Sequence, residues 1–169
     1  FIDEIGINIE DEESLDVLKK LKYYEIYKDQ VKTTVKLFLV ETLTILKSTN
    51  LSDCNLAESN LDEANLDQAN LSDANLENIS CLEGVMTDAN MESANLQGAK
   101  LLGTDFSKSN LERANFRKSK SMETKLANCN LNEADFSSSD FSRANLQNAK
   151  ISESDLSRAR FNGANFEKA

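Results

Sequence analysis

Residues 61–76 read Leu61-Asp62-Glu63-Ala64-Asn65-Leu66-Asp67-Gln68-Ala69-Asn70-Leu71-Ser72-Asp73-Ala74-Asn75-Leu76, with leucine returning at every fifth position. Neither a helix, at 3.6 residues per turn, nor a strand, with a side-chain period of two, produces that spacing. Counted outward to Thr49 and Lys168, the frame holds for 24 five-residue units without a break. The central site is Leu, Met, Ile or Phe in 22 of them, the exceptions being Cys81 and Ser121. Two positions earlier the residue is Ala, Ser, Thr, Cys or Gly in 23 units, with Ile79 the exception, and the position just before the centre is Asn or Asp in 17. Repetition at this level decides the architecture before any local propensity does.

Each unit supplies two inward side chains, one large and one small, and three positions filled almost wholly by polar residues. No single unit can bury its own leucine. Stacked copies give each centre a like neighbour above and below, so an apolar column forms that no isolated unit could sustain. The small site follows from volume, because overfilling a narrow bore costs about 1–3 kcal/mol per site. Ile79 and Cys81 exchange the two volumes within one unit. Gly98, Gly103 and Gly163, each at the fifth place of its unit, mark corners expected at positive φ. The Asn and Asp residues are expected to serve the turns through local backbone hydrogen bonds, not to form a sugar- or ice-binding array.

Units such as Ala64-Asn65-Leu66-Asp67-Gln68 and Ala74-Asn75-Leu76-Glu77-Asn78 resemble the repeat of the pentapeptide-repeat family, common in bacteria and especially in cyanobacteria. The resemblance spans about seven tenths of the chain. It implies an all-β solenoid, a right-handed quadrilateral parallel β-helix with four units to a coil. The six coils would be 49–68, 69–88, 89–108, 109–128, 129–148 and 149–168. At roughly 4.8 Å between hydrogen-bonded strands, they stack into a rod about 29 Å long.

Residues 1–48 lack this period and form a separate unit ahead of the β-helix at 49–169. Acidic Glu10 to Glu13 suit a helix N-terminus, Lys19, Lys20 and Lys22 its later turns, and Leu15, Leu18 and Leu21 one apolar side, which predicts a helix over about 12–22. Tyr24, Tyr27, Val31, Val35, Phe38, Thr42 and Ile45 alternate spacings of three and four, which predicts a second helix. Val31, Thr33, Val35, Leu37 and Leu39 also alternate, so a strand is the alternative there. The first coil of a β-helix exposes an apolar bore and unpaired backbone groups, and solenoids need capped ends. The N-terminal α-helical segment is therefore expected to be a cap, a tethered interaction module being the other reading.

The chain holds 29 acidic and 19 basic residues, a net charge of −10, which argues against nucleic-acid binding through a basic face. No apolar run approaches the roughly 20 residues that cross a bilayer, and the richest, Leu37 to Leu46, contains Glu41. The first residue is Phe1, not Met, so no targeting segment is read from it; a cytoplasmic location is expected. Residues 51–99 carry ten carboxylates and no Lys or Arg, whereas residues 100–169 hold nine acids against twelve bases. The resemblance adds a second functional reading, since some members of the family are acidic rods that imitate DNA and bind DNA gyrase. The basic C-terminal half and the absence of inserted loops in the frame weigh against that mimicry of DNA toward gyrase or topoisomerase.

Catalytic constellations are missing. There is no His and no Trp, and the serines lie at repeat positions without a partner to act as base. Cys54, Cys81 and Cys129 fall at inward sites, where Cys behaves as a small hydrophobe, and their spacing fits no zinc pattern. No enzymatic activity, metal or cofactor is expected, and the functional reading is a protein-interaction scaffold with an unnamed protein partner.

Two surfaces are candidates for contact. Among the positions just after a centre, only Leu82, Leu102 and Met122 are large and apolar, and they fall in one column stepping by 20 residues, with Val85 round the corner from Leu82. A local bulge could instead turn Leu82 and Met122 inward beside Cys81 and Ser121, but Leu101 already fills the interior next to Leu102. This strip is expected to be covered by the N-terminal segment or by a partner. At the other end the chain stops inside the repeat frame with Phe161 and Phe166 near an uncapped coil, so end-to-end pairing of two copies, or further C-terminal residues, is expected there.

Overall fold

The computed structural model describes residues 24–27, 34–37 and 46–169. Strands β1 (Tyr24–Tyr27) and β2 (Thr34–Leu37) pair antiparallel, with Tyr24 opposite Leu37 and Tyr27 opposite Thr34. This corrects the second helix expected across these residues. Both segments are rich in aromatic and β-branched residues, which fit a pleated surface and lose rotamer freedom in a helix. The helix expected over 12–22 lies outside the described residues.

From Leu46 onward the chain turns once every five residues. Parallel bridges join each residue that precedes a centre to the residue twenty further on, from Asn50 with Asn70 to Asn145 with Asn165. Four five-residue sides therefore close one coil of a parallel β-helix. Leu46 already belongs to the ladder, its N–H donating to Asn65 O at 2.6 Å, one unit ahead of the frame counted from Thr49.

The fifth residue of every unit from Ser48 to Lys168 has φ between 52° and 73°. Gly98, Gly103 and Gly163 are among these corners, as expected, but the others are L residues, mostly Asp, Glu, Asn, Ser, Lys and Arg. A left-handed L residue costs roughly 1–2 kcal/mol. The geometry is over-determined by the ladder, since corner N–H groups bond to the next coil, Asp53 to Ser72 O at 2.9 Å and Glu58 to Glu77 O at 2.8 Å.

Asn and Asp complete the turns. All 17 that precede a centre accept, on Oδ1, the N–H of the residue just after that centre. Two columns also bond along the axis. Asn70, Asn90, Asn110 and Asn130 each donate their amide to the Asn one coil earlier at 3.1 to 3.2 Å, and Asn75, Asn95 and Asn115 do so at 2.9 to 3.2 Å.

The bore is leucine-lined toward the N-terminal end and aromatic toward the other. Phe116 and Phe136 stack with centroids 5.3 Å apart, and Phe141 meets Phe136 edge-on at 5.0 Å. Ile79 and Cys81 are both fully buried, and the Cys81 thiol fills the space that a Cβ on Gly84 would need. Hydroxyls and a thiol at small sites bond to backbone carbonyls, Ser109 to Met86 O at 2.5 Å and Cys129 to Phe106 O at 2.9 Å. Ser59 Oγ is buried without a partner among the described residues. Ser59→Ala installs the residue that half of the units use, and it is expected to stabilise the fold by about 1 kcal/mol, seen as a higher denaturant midpoint at unchanged slope.

Candidate functional site

The apolar strip faces outward. Leu102 is 38% and Met122 40% exposed, while Leu82 and Val85 are half-buried. The bulge does not form. Cys81 and Ser121 stay inside, and the ladder passes through both without a slip, Cys81 N–H to Lys100 O and Ser121 N–H to Asp140 O, each at 2.8 Å. The small Ser121 is accommodated by polar contacts, its Oγ lying 2.8 Å from Ser119 Oγ.

The same side carries a feature that the column reading missed. Lys100 and Lys120 stand where most units have Asn or Asp, so the turn N–H groups of Leu102 and Met122 find no acceptor among the described residues. Val85 and Lys125 leave Thr87 and Ala127 in the same state on the adjoining side. Leu82 escapes because Asp62, one coil earlier, accepts its N–H at 2.8 Å. Lys100 and Lys120 are exposed and have no ion-pair partner among the described residues. The trace of this feature in the sequence is the gap that Lys100 and Lys120 leave in the Asn/Asp columns, which has meaning only once the capping role of those columns is known.

Several other bases are matched to acids one coil away, whereas Lys108, Lys118, Lys150 and Arg158, like Lys100 and Lys120, have no ion pair among the described residues. Arg113 pairs with Glu92, Lys125 with Asp105 at 3.4 Å, Arg143 with Glu123 at 2.9 Å and Arg160 with Asp140 at 2.7 Å. These pairs are exposed and worth little singly. Four carboxyls, Asp67, Asp105, Asp140 and Asp155, lie below their usual range, Asp67 chiefly through the Thr87 hydroxyl with help from Lys47, and Asp140 chiefly through the Ser142 hydroxyl with help from Arg160. A carboxyl whose folded pKa is depressed stabilises the fold above its unfolded value, about 3.9, and loses that contribution as pH falls through the folded value. Thermal melts are therefore expected to show stability falling below about pH 4, with a shallower acid limb in Asp67→Asn and Asp140→Asn.

The two ends differ. Leu51, Leu56 and Leu61 have 0% exposure, whereas Leu156 is 41% and Phe166 39% exposed. Phe161 is half-buried, its ring centroid 5.2 Å from that of Phe166.

Reactive chemistry is suppressed in the thiols. Burial pushes Cys54 up to about 11 and Cys81 and Cys129 up to about 12, so none supplies a thiolate near neutral pH. Among the described residues no cluster of three or more His, Cys, Asp or Glu could hold a metal ion, and no helix is long and apolar enough to cross a membrane.

The sequence matches the family model for pentapeptide repeats (eight copies) over residues 45–80 and that for a pentapeptide repeat region over residues 89–168. No curated protein matches it. Among solved structures it is similar to a pentapeptide repeat protein from the Arabidopsis thaliana thylakoid lumen, at 24% identity and a TM-score of 0.46 over 52% of this chain and 65% of that one. It therefore spans less than two thirds of that protein's length. It is similar also to HetL, a pentapeptide repeat protein involved in heterocyst differentiation regulation from the cyanobacterium Nostoc sp. strain PCC 7120, at 22% identity and a TM-score of 0.26 over 81% and 80% of the two chains. The third is Rfr23 from the cyanobacterium Cyanothece 51142, at 20% identity and a TM-score of 0.34 over 74% and 87%. The two matched regions share the frame of the ladder that runs from Leu46, and the chain belongs to the pentapeptide-repeat family.

Proposed function

We propose that the chain is a non-enzymatic protein-interaction scaffold, a rod of six coils that offers a partner protein a fixed apolar strip of Leu82, Val85, Leu102 and Met122. One contrast carries the reading. The thiols, the Asn and Asp side chains and the small-site hydroxyls are absorbed by the architecture, while Leu102 and Met122 stand 38% and 40% exposed on one side. Contiguous exposed apolar surface usually marks a contact. Residues 1–48 act as the N-terminal cap, because the first coil of a β-helix presents an apolar bore and unpaired backbone groups that solenoids keep covered. The reading of the rod as a DNA mimic directed at gyrase has no specific observation in its favour, because the C-terminal bases Arg113, Lys125, Arg143 and Arg160 alternate with acids along the axis.

The test is affinity capture from native cells with the tagged chain and its Leu102→Glu/Met122→Glu variant, both first shown to melt alike. Proteins retained by the parent and lost from the variant are expected; identical retention would end the strip's role. A second contact is proposed at the other end, where Leu156, Phe161 and Phe166 of two copies pair end to end. Light scattering of this chain at high concentration is expected to give a dimer that Phe166→Glu dissociates, and a stable monomer would sink the pairing.

A further inference from the structure

On the face that carries Leu82, Leu102 and Met122, three turn N–H groups lack acceptors among the described residues, those of Leu102, Met122 and, two coils further on, Asn162; the first two lie one coil or about 4.8 Å apart. Lys100 and Lys120 flank them, exposed and without ion-pair partners among the described residues. The opposite edge is acidic, with Glu83 lying over Gly103 and Glu123 already matched by Arg143 at 2.9 Å. Backbone donors, ammonium groups and a row of apolar side chains together fit a segment in which apolar residues stand next to carboxylates. The acidic edge directs those carboxylates to the lysine side.

One stretch of this chain has that chemistry. Ile5, Ile7 and Ile9 alternate with Gly6 and Asn8, Glu10, Asp11, Glu12 and Glu13 follow, and the first base is Lys19. The topology also brings this stretch within reach. Tyr24 pairs with Leu37, so the chain before β1 starts beside the end of β2, and only residues 38–45 separate that point from Leu46. Leu46 enters the rod on Asn65, which bridges to Val85, at the corner shared with the strip. Met122 lies fewer than four coils further on, at most about 19 Å, while eight extended residues span up to about 26 Å.

We propose that Ile5 to Glu13 docks on this face of the same molecule. Ile5, Ile7 and Ile9 cover Leu82, Leu102 and Met122, and the carboxylates of Glu10 to Glu13 take Lys100, Lys120 and the turn N–H groups of Leu102 and Met122. This rests on reading the strip as a docking surface, and it gives the scaffold an internal competitor that a partner protein must displace.

Carbodiimide cross-linking of the intact chain at low concentration, read by peptide mass spectrometry, is expected to join Lys100 or Lys120 to a carboxylate among Glu10 to Glu13 within one molecule. Replacing Glu10, Asp11, Glu12 and Glu13 by their amides is expected to speed hydrogen exchange at Leu102 and Met122 by roughly tenfold. Lys100→Gln/Lys120→Gln, which alters only exposed side chains, should give the same rise. Links found only between two molecules, lysines linked to nothing before Lys19, or exchange unchanged in both variants would each overturn the proposal. The capture experiment above reads separately: if cross-links fail while Leu102→Glu/Met122→Glu still loses proteins, the occupant alone is wrong.

Discussion

Phe136→Ala is expected to lower stability by about 3–5 kcal/mol, the largest loss from any single substitution in the rod. Phe136 is fully buried, stacked on Phe116 at 5.3 Å and edge-on to Phe141 at 5.0 Å and to Phe161 at 6.0 Å. Removing the ring opens a void that the walls cannot close. They are held at a fixed spacing by backbone rungs, Phe136 N–H to Asp155 O at 2.8 Å and Asp135 N–H to Ala114 O at 3.0 Å. In a stacked repeat each coil leans on its neighbours, so the damage spreads to the adjoining coils. Phe136→Leu should recover much of the loss, because the same column already holds Leu at 56, 76 and 96. Denaturant melts of the three proteins decide it; a loss below about 1 kcal/mol in the alanine variant would show that the aromatic column is not what holds this end together.

What the sequence revealed follows from which residues are forced. A centre such as Leu66 has no freedom, because a polar residue there would sit in a dry bore, so the five-residue period is plain. The Asn and Asp sites are nearly as plain, since each offers the one oxygen that caps the N–H two residues on. Left-handed corners were legible only at Gly98, Gly103 and Gly163. At Glu58 or Lys108 the same φ is imposed by rungs from the next coil, and nothing local announces it. The β1–β2 hairpin was obscured because Val31, Val35 and their neighbours satisfy a helical and an alternating period together, and strand pairing decided between them. The unpaired turn N–H groups at Leu102 and Met122 were hidden for a different cause. Lys100 and Lys120 read as ordinary surface charges until the cap that they displace is known.

Restoring the regular volumes at the one exchanged unit is expected to show strong coupling. Ile79 occupies a small site and Cys81 a large one, and both are fully buried. Ile79→Ala alone should cost about 2–5 kcal/mol as a cavity, and Cys81→Leu alone about 1–3 kcal/mol as overpacking, because Ile79 already holds that volume. The double variant rebuilds the arrangement found in the neighbouring units, so its cost should fall below the sum of the two by about 1–3 kcal/mol. Gly84 gives the exchange a third reporter. A Cβ there meets the Cys81 thiol, so Gly84→Ala should destabilise the parent, while Cys81→Ala, which removes the sulfur, should relieve that penalty. Denaturant midpoints across both cycles measure the effect. Additive costs within about 0.5 kcal/mol would mean that Ile79 and Cys81 do not share one space, and the compensation would then lie in a shift of the coil itself.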